Sequence, residues 1–402
     1  MLNELNPYHS SSWPLFLEKE FTSAIVKCNN LSAPGPDKLS WRHLKHVIKD
    51  KMCLQNIITI ANACIELGYW PNHFKKSMMI VISKPNKMSY NSSKSFRPIV
   101  LLNTLGKLIE KVIGNRLQFY IVSNNFIYQS QLDRLKFKST TNAGIALTYF
   151  IYMRWIKNMS TSLLVFDIAQ FFLSLNYRLL TLILGKAGFD LRVVKFFLNY
   201  LFEKKTKYFW NNFSSSQFEA HMGVGQGLAL SPILSALYLS PFLYILEKRL
   251  KNLNLNISIL SFVNNSLFLM QSKSFRISNA CLFSSYNITF NLLSKFSFLV
   301  KYLKTEVFHF SRSHGIFNPP PLNLSTIGSP ILCSKEIWRH LGFIFDRKLF
   351  FCQYINFYTN KAISTVKCMK ILGNLTRGLI PHQKHLLYRS YTLPIALYGF
   401  QM

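Results

Sequence analysis

The chain reads as an α+β protein, on three observations. Residues 257–269 alternate, with Ile257, Ile259 and Phe262 before Asn264-Asn265 and Leu267, Phe268 and Leu269 after. That is the pattern of a β-hairpin, with asparagine at the tip to supply the positive φ of a tight turn. Leu163-Leu164-Val165-Phe166-Asp167 is a continuous apolar run closed by an acid, as in a buried strand. Leu105, Leu108, Ile109, Val112, Leu117 and Tyr120 recur at helical spacing behind Asn103 or Thr104 as the cap.

The other elements follow in order. A modest helical pattern (Leu15, Phe16, Glu20, Ala24) ends at Asn29-Asn30, and the turn-rich Ser32-Ala33-Pro34-Gly35-Pro36-Asp37 leads to Ser40, the cap of a short helix. Residues 53–67 read as a helix stopped by Gly68, Met78 to Ile82 as a short strand, and Lys84 to Ser95 as a polar, basic loop. After the 163–167 strand come helices near 177–186 and 190–202, a hairpin from Phe209 to Met222, and a flexible Gly223-Val-Gly-Gln-Gly227 turn leading into a helix at Ser231-Pro232. A helix near 278–296 precedes strands at Lys304–Phe310 and Trp338–Phe345, separated by the Pro319-Pro320-Pro321 loop. The last sixty residues read as two helices.

Composition limits the function classes. Lys and Arg number 47 against 16 acidic residues, a net charge of +31 spread along the whole length, which implies a polyanionic partner, best a nucleic acid. Hydrophobic residues make up 49%, enough for a sizeable core. No apolar run is long enough to span a membrane, and Met-Leu-Asn-Glu-Leu-Asn-Pro is no secretory signal. The expectation is an intracellular protein, nuclear or cytoplasmic, with no membrane, and no obligate protein partner can be inferred. Seven cysteines without a Cys-x-x-Cys suit free thiols in a reducing compartment, and the ten histidines show no metal-ligand spacing.

Several short motifs share an order: Ser32-Ala-Pro-Gly-Pro-Asp37; Phe96-Arg-Pro-Ile99 with Leu101-Leu-Asn103; Gly106-Lys-Leu-Ile-Glu-Lys111; Phe166-Asp-Ile-Ala-Gln-Phe-Phe172; Gly225-Gln-Gly227 with Leu230-Ser-Pro-Ile-Leu234; Lys304-Thr-Glu306; and Leu341-Gly-Phe-Ile-Phe345. Taken singly, Asp167 reads first as a strand-end acid, Gly225 and Gly227 as a loop, and Phe172 as core. In this order the chain resembles the reverse transcriptase domain of non-LTR (LINE-type) retrotransposons, and fungal elements in particular. The resemblance implies a right-hand polymerase with an antiparallel palm sheet backed by helices. Residues 1–30 would be an N-terminal helical extension, 31–160 the fingers, 161–335 the palm, and 336–402 a thumb cut short, the chain being a fragment of a longer polyprotein. RNA template, DNA primer, dNTPs and Mg²⁺ are the implied partners. Asp167 would be the first metal-binding carboxylate and Phe172 the bulk that excludes a ribose 2′-OH. Arg97 and Lys84 would grip the triphosphate, Gln226 and Gly227 position the nucleotide, and Lys304 lie near the pyrophosphate.

The sequence departs from the family at the hairpin tip. Asp-Asp is expected where this chain has Asn264-Asn265, the first of them a metal ligand beside Asp167. Asparagine keeps an oxygen but loses the charge, and no acid lies between Glu247 and Glu306 to replace it. The expectation is a dead or nearly dead polymerase; a nucleic-acid-binding remnant and an unstable relic are the alternatives. Leu173, Tyr177, Leu228, Ser266, Asn323 and Tyr354 are further departures. Each, like Asp→Asn, is one C-to-T change away from the family residue, the mark of a decayed copy. Leu228 and Ser266, replacing small or turn residues, are expected to weaken the fold.

Overall fold

The protein is described here by a computed structural model covering residues 12–85, 88–132, 138–210, 213–220, 223–313, 318–324, 331–372 and 378–401. The first eleven residues of the expected N-terminal extension, Asn86-Lys87 of the basic loop and the end of the 209–222 hairpin lie outside these. The chain forms two compact units, each discontinuous in sequence: Met1–Gln131, Ile168–Arg249 and Ile288–Val300 in the first, Leu132–Asp167, Leu250–Asn287 and Lys301–Met402 in the second. Among the described residues no helix is long and apolar enough to cross a membrane. All seven cysteines are free.

The first unit is built around the helix Thr104–Ser123, whose Leu108, Ile109, Val112, Ile113, Leu117 and Ile121 are buried at three- and four-residue spacing. Its sheet runs in the order Phe96–Leu102, Lys76–Ser83, Lys204–Trp210 and Phe213–Ser214, with Phe218–Ala220 also on the third strand. Lys76–Ser83 and Lys204–Trp210 pair parallel and the others antiparallel. Helices Tyr177–Lys186 and Leu191–Leu201 fall where the sequence places them, whereas the hairpin expected from Phe209 begins five residues earlier, at Lys204.

The Ser32–Asp37 segment explains how the Thr104 helix starts. Asn103 occupies the N-cap but its side chain caps nothing in its own helix; its oxygen accepts the Asp37 amide and its nitrogen donates to His73 O, both at 3.2 Å. The cap is Asp37 instead, whose carboxylate accepts from Thr104 N and from Leu39 N at 3.2 Å. Thr104 Oγ1 donates back to Leu39 O. Gly35 is required because a Cβ there would lie 2.1 Å from Leu102 O. Leu228 packs with Met79, Val100 and Leu102, so the residue expected to weaken the fold is accommodated as core.

The second unit holds an antiparallel sheet in the order Glu306–Phe310, Ser160–Ala169, Asn265–Ser272, Ile257–Phe262. On one face, Leu163 and Val165 pack with Leu147 and Ile151 of the helix Thr140–Trp155 and with Phe308 and Trp338. On the other, Phe166 meets Phe268 edge to face at 5.0 Å. Ser266, paired with Phe166, is fully buried at negative φ and needs no glycine. The stretch expected as one strand from Trp338 to Phe345 is a hairpin, Ile337–His340 against Phe343–Asp346, turning on Leu341 (φ +50°) and Gly342 (φ +92°). Two positive φ values are the mark of a type I′ turn. Helix Cys352–Ile371 follows, then Pro381–Leu387; Tyr398 returns to this hairpin, donating to Leu341 O at 2.7 Å.

The Asp37 cap predicts that Asp37→Ala lowers stability by about 1 kcal/mol. Urea denaturation should show a reduced midpoint at unchanged slope.

Candidate active site at the end of the Asp167 strand

Eight consecutive residues of Ser160–Ala169, Thr161 to Ile168, are buried, and this fixes the strand's register against both neighbours. Asp167 stands opposite Asn265, and Phe262 pairs with Asn265 across a two-residue turn of Val263 and Asn264. The positive φ at the tip therefore falls on Val263, at +55°, not on an asparagine. A β-branched residue in the left-handed region is strained, and positive φ at the first central position alone is the type II′ pattern. This turn brings the Asn264 side chain to Asp167.

Asp167 is buried, and both its oxygens are engaged. Asn264 Nδ2 donates to Oδ1. Lys304 Nζ donates to Oδ2 at 2.9 Å, with Lys301 Nζ 4.0 Å from the same oxygen. Lys301 N also donates to the Asp167 carbonyl at 2.9 Å. The sequence reading named Asp167, Asn264, Asn265 and Lys304, and the structure brings all four together; Lys301 was missed, although its place three residues before Lys304 could have suggested it. Glu306, paired with Val165, is held by Lys335 and does not join the cluster.

A divalent metal does not fit this donor set. Mg²⁺ takes hard oxygens, typically one or two carboxylates with phosphates and water. Here the single carboxylate is already neutralised by an ammonium, and the neighbouring amide turns its N–H₂, not its oxygen, towards it. Among the described residues no group of three or more His, Cys, Asp or Glu could hold a metal ion.

The other expected site residues lie in the first unit. Arg97 is exposed on Phe96–Leu102, paired with Ile82, and Lys84 donates its amide to Ser95 O at 2.8 Å on the partner side of that hairpin. Gln226 O accepts from Val100 N at 2.9 Å. Gly227 has φ +98°, and a Cβ there would lie 3.2 Å from Ile99, so the Gly-Gln-Gly loop is laid against the Arg97 strand. Phe172 is half-buried and its carbonyl accepts from Val224 N at 2.7 Å, which ties it to the same loop.

A buried group missed by sequence reasoning supports that loop. Glu110, on the Thr104 helix, accepts from Tyr200 Oη. Burial pushes its carboxyl up, and the Tyr200 hydroxyl and the nearby amides of Leu230 and Ala229 oppose the shift. Lys204 Nζ lies 4.0 Å from the Tyr200 ring centroid, and burial pushes it down to about 8. The Gly-Lys-Leu-Ile-Glu-Lys motif contained the glutamate, but only the fold shows what it faces.

The family profile described as reverse transcriptase (RNA-dependent DNA polymerase) matches residues 82–373, well over half of the chain. The chain belongs to the reverse transcriptase family. It is 23% identical over 411 aligned positions to the probable RNA-directed DNA polymerase from transposon BS of Drosophila melanogaster, covering 96% of this chain and 42% of that protein. It is 35% identical over 99 residues to the RNA-directed DNA polymerase from mobile element jockey of the same fly, 25% of this chain and 10% of that one. The chain thus spans less than half the length of these relatives. They belong to non-LTR elements, and this chain is the reverse transcriptase domain of such a retrotransposon. Among solved structures, an apo telomerase from Candida tropicalis truncated from its C-terminal domain is 14% identical over 68% of this chain and 53% of that one, with a TM-score of 0.46. The telomerase of that yeast with a TWJ fragment of telomeric RNA is 13% identical over 82% and 55%, with a TM-score of 0.47. Reverse transcriptases normally use divalent metals, which sharpens the misfit at Asp167.

The ion pair carries a stability prediction. Lys304→Met leaves the buried Asp167 carboxylate short of a partner and should cost about 1 kcal/mol, less than a fully buried pair because Lys304 is largely exposed. Adding Asp167→Asn in that background should recover most of the loss in a double-mutant cycle read by chemical denaturation.

Proposed function

We propose that this reverse transcriptase domain holds an RNA template and a DNA primer, and that its nucleotidyl transfer is impaired or lost. The observation that carries this reading is the Asp167 carboxylate, with Asn264 on one oxygen and Lys304 on the other. In an intact site of this class, Mg²⁺ would activate the primer 3′-OH and neutralise the triphosphate. Here that binding is weakened. Oriented charge in such sites is commonly worth roughly 10²–10³ in rate.

The chain's other residues keep their roles in this reading. Arg97 offers a planar fork to triphosphate oxygens, and Lys84 adds a point charge across the hairpin. Gln226 and Gly227 position the nucleotide, their loop fixed through Val100. Phe172 supplies the bulk that excludes a 2′-OH. Lys304, due beside the leaving pyrophosphate, is committed to Asp167 instead. Residues 31–160 correspond to fingers, 161–335 to palm and 336–402 to thumb, with residues 1–30 as an extension.

Primer extension on an RNA template with Mg²⁺ and dNTPs tests this. The chain should bind the primer–template yet add no nucleotide above background, and Asn264→Asp/Asn265→Asp should restore extension. Extension by the unaltered chain would contradict the assignment of Asn264 as the lesion.

A further inference from the structure

The first unit's sheet is buried at one end of one face and bare at the other. Thr206 faces inward with Met79, Val100 and Leu102, all buried. Two and four residues further along the same strand, on the same face, Tyr208 and Trp210 are exposed, and Trp210 is paired with Phe213. Trp210 is 53% exposed and Phe213 64%. Neighbouring rings extend the patch: Phe96 lies 5.7 Å from Trp210, Tyr90 lies 5.9 Å from Phe96, and Phe218 stacks on Tyr208 at 4.9 Å. Six aromatic side chains thus gather at the outer end of a sheet, four of them exposed. A structural core would not leave them so, and a contiguous apolar patch of this kind marks an interaction surface.

Charge selects the partner. The strands of this sheet carry Lys76, Arg97, Lys204, Lys205 and Lys207 against a single acid, Glu219. Lys76, Arg97, Lys205 and Lys207 are exposed on the face opposite the rings, and the edge between the two faces is made by two short strands, Phe213–Ser214 beside Trp210 and Phe218–Ala220, which sets Glu219 opposite Lys205. Stacking rings on one face with cations on the other, across a narrow edge, suit unpaired nucleic acid: every base offers a π-face, and every linkage a negative charge. A duplex keeps its bases stacked on one another and cannot use the rings in this way.

We propose that this outer end of the sheet binds single-stranded nucleic acid, its bases stacking on Trp210, Phe213 and Tyr208 and its phosphates met by Lys205 and Lys207 around the edge. The proposal rests on the reverse transcriptase reading and deepens it, assigning a site to the unpaired strand as distinct from the paired primer–template.

Fluorescence anisotropy with labelled oligo(U) and oligo(dT), and with an RNA–DNA duplex, at several KCl concentrations tests it. Trp210→Ala/Phe213→Ala should weaken single-strand binding about tenfold or more at every salt concentration, with the salt slope and duplex binding unchanged. Trp210→Phe, which keeps a ring, should bind like the parent. Lys205→Met/Lys207→Met should instead flatten the salt slope by about 1.4. Tighter binding of oligo(U) than oligo(dT) would assign the surface to template RNA, and the reverse order to single-stranded DNA; both support it. Unchanged single-strand binding by the Trp210/Phe213 variant overturns the proposal. So does an equal loss on strand and duplex, or a parent that self-associates through the rings while the variant stays monomeric and binds oligo(U) normally. A parent that binds neither strand nor duplex overturns the reverse transcriptase reading as well.

Discussion

The burial of Ser160–Ala169 on both faces is the constraint on which the site depends. Leu163 and Val165 are packed on one side and Phe166 on the other, so a slip of one residue would exchange the two cores. Its neighbours, Glu306–Phe310 and Asn265–Ser272, are locked by the same packing. Asp167 is consequently delivered opposite the hairpin tip with little freedom, and whatever residues occupy 264 and 304 must answer its charge. A buried carboxylate without a partner is costly. In this chain the answer is internal: an amide donor and an ammonium.

That answer links stability to function in opposite directions. Two carboxylates facing each other at this tip would repel in the absence of a cation, so an aspartate at 264 would make the empty site less stable while giving it metal affinity. Asparagine removes the repulsion and donates a hydrogen bond, and Lys304 completes the neutralisation. On the proposed reading, the change that would disable the site also settles it. The surrounding fold does not register damage: Leu228 fills a small apolar cluster and Ser266 is buried in regular sheet.

Much of this was legible in the sequence where local pattern decides structure. The uninterrupted apolar run of the Asp167 strand, the alternating hairpin, and helices such as Tyr177–Lys186 fall where periodicity places them. The illegible parts are those settled by distant residues. Asp37 caps a helix 67 positions away, which no cap rule reading only adjacent residues finds. Val263 takes the left-handed conformation that asparagine was expected to supply, because strand register on both sides places it at the first turn position. Thr140–Trp155 went unread because apolar residues surround most of that helix instead of forming one stripe. The parallel pairing of Lys76–Ser83 with Lys204–Trp210 joins segments more than a hundred residues apart. Asp167, Asn264, Asn265 and Lys304 lie together in the fold, and the pairing of Lys304 with Asp167 follows only from it.

On the proposed reading, the Asp167 site has exchanged a metal for its own side chains. Titration with Mn²⁺ followed by electron paramagnetic resonance tests it most directly, since the free ion is counted without any need for turnover. The account predicts no saturable site in the chain as it stands, and one that appears with Asn264→Asp and disappears again when Asp167→Asn is added. Saturable Mn²⁺ binding by the unaltered chain, abolished by Asp167→Asn, would contradict it.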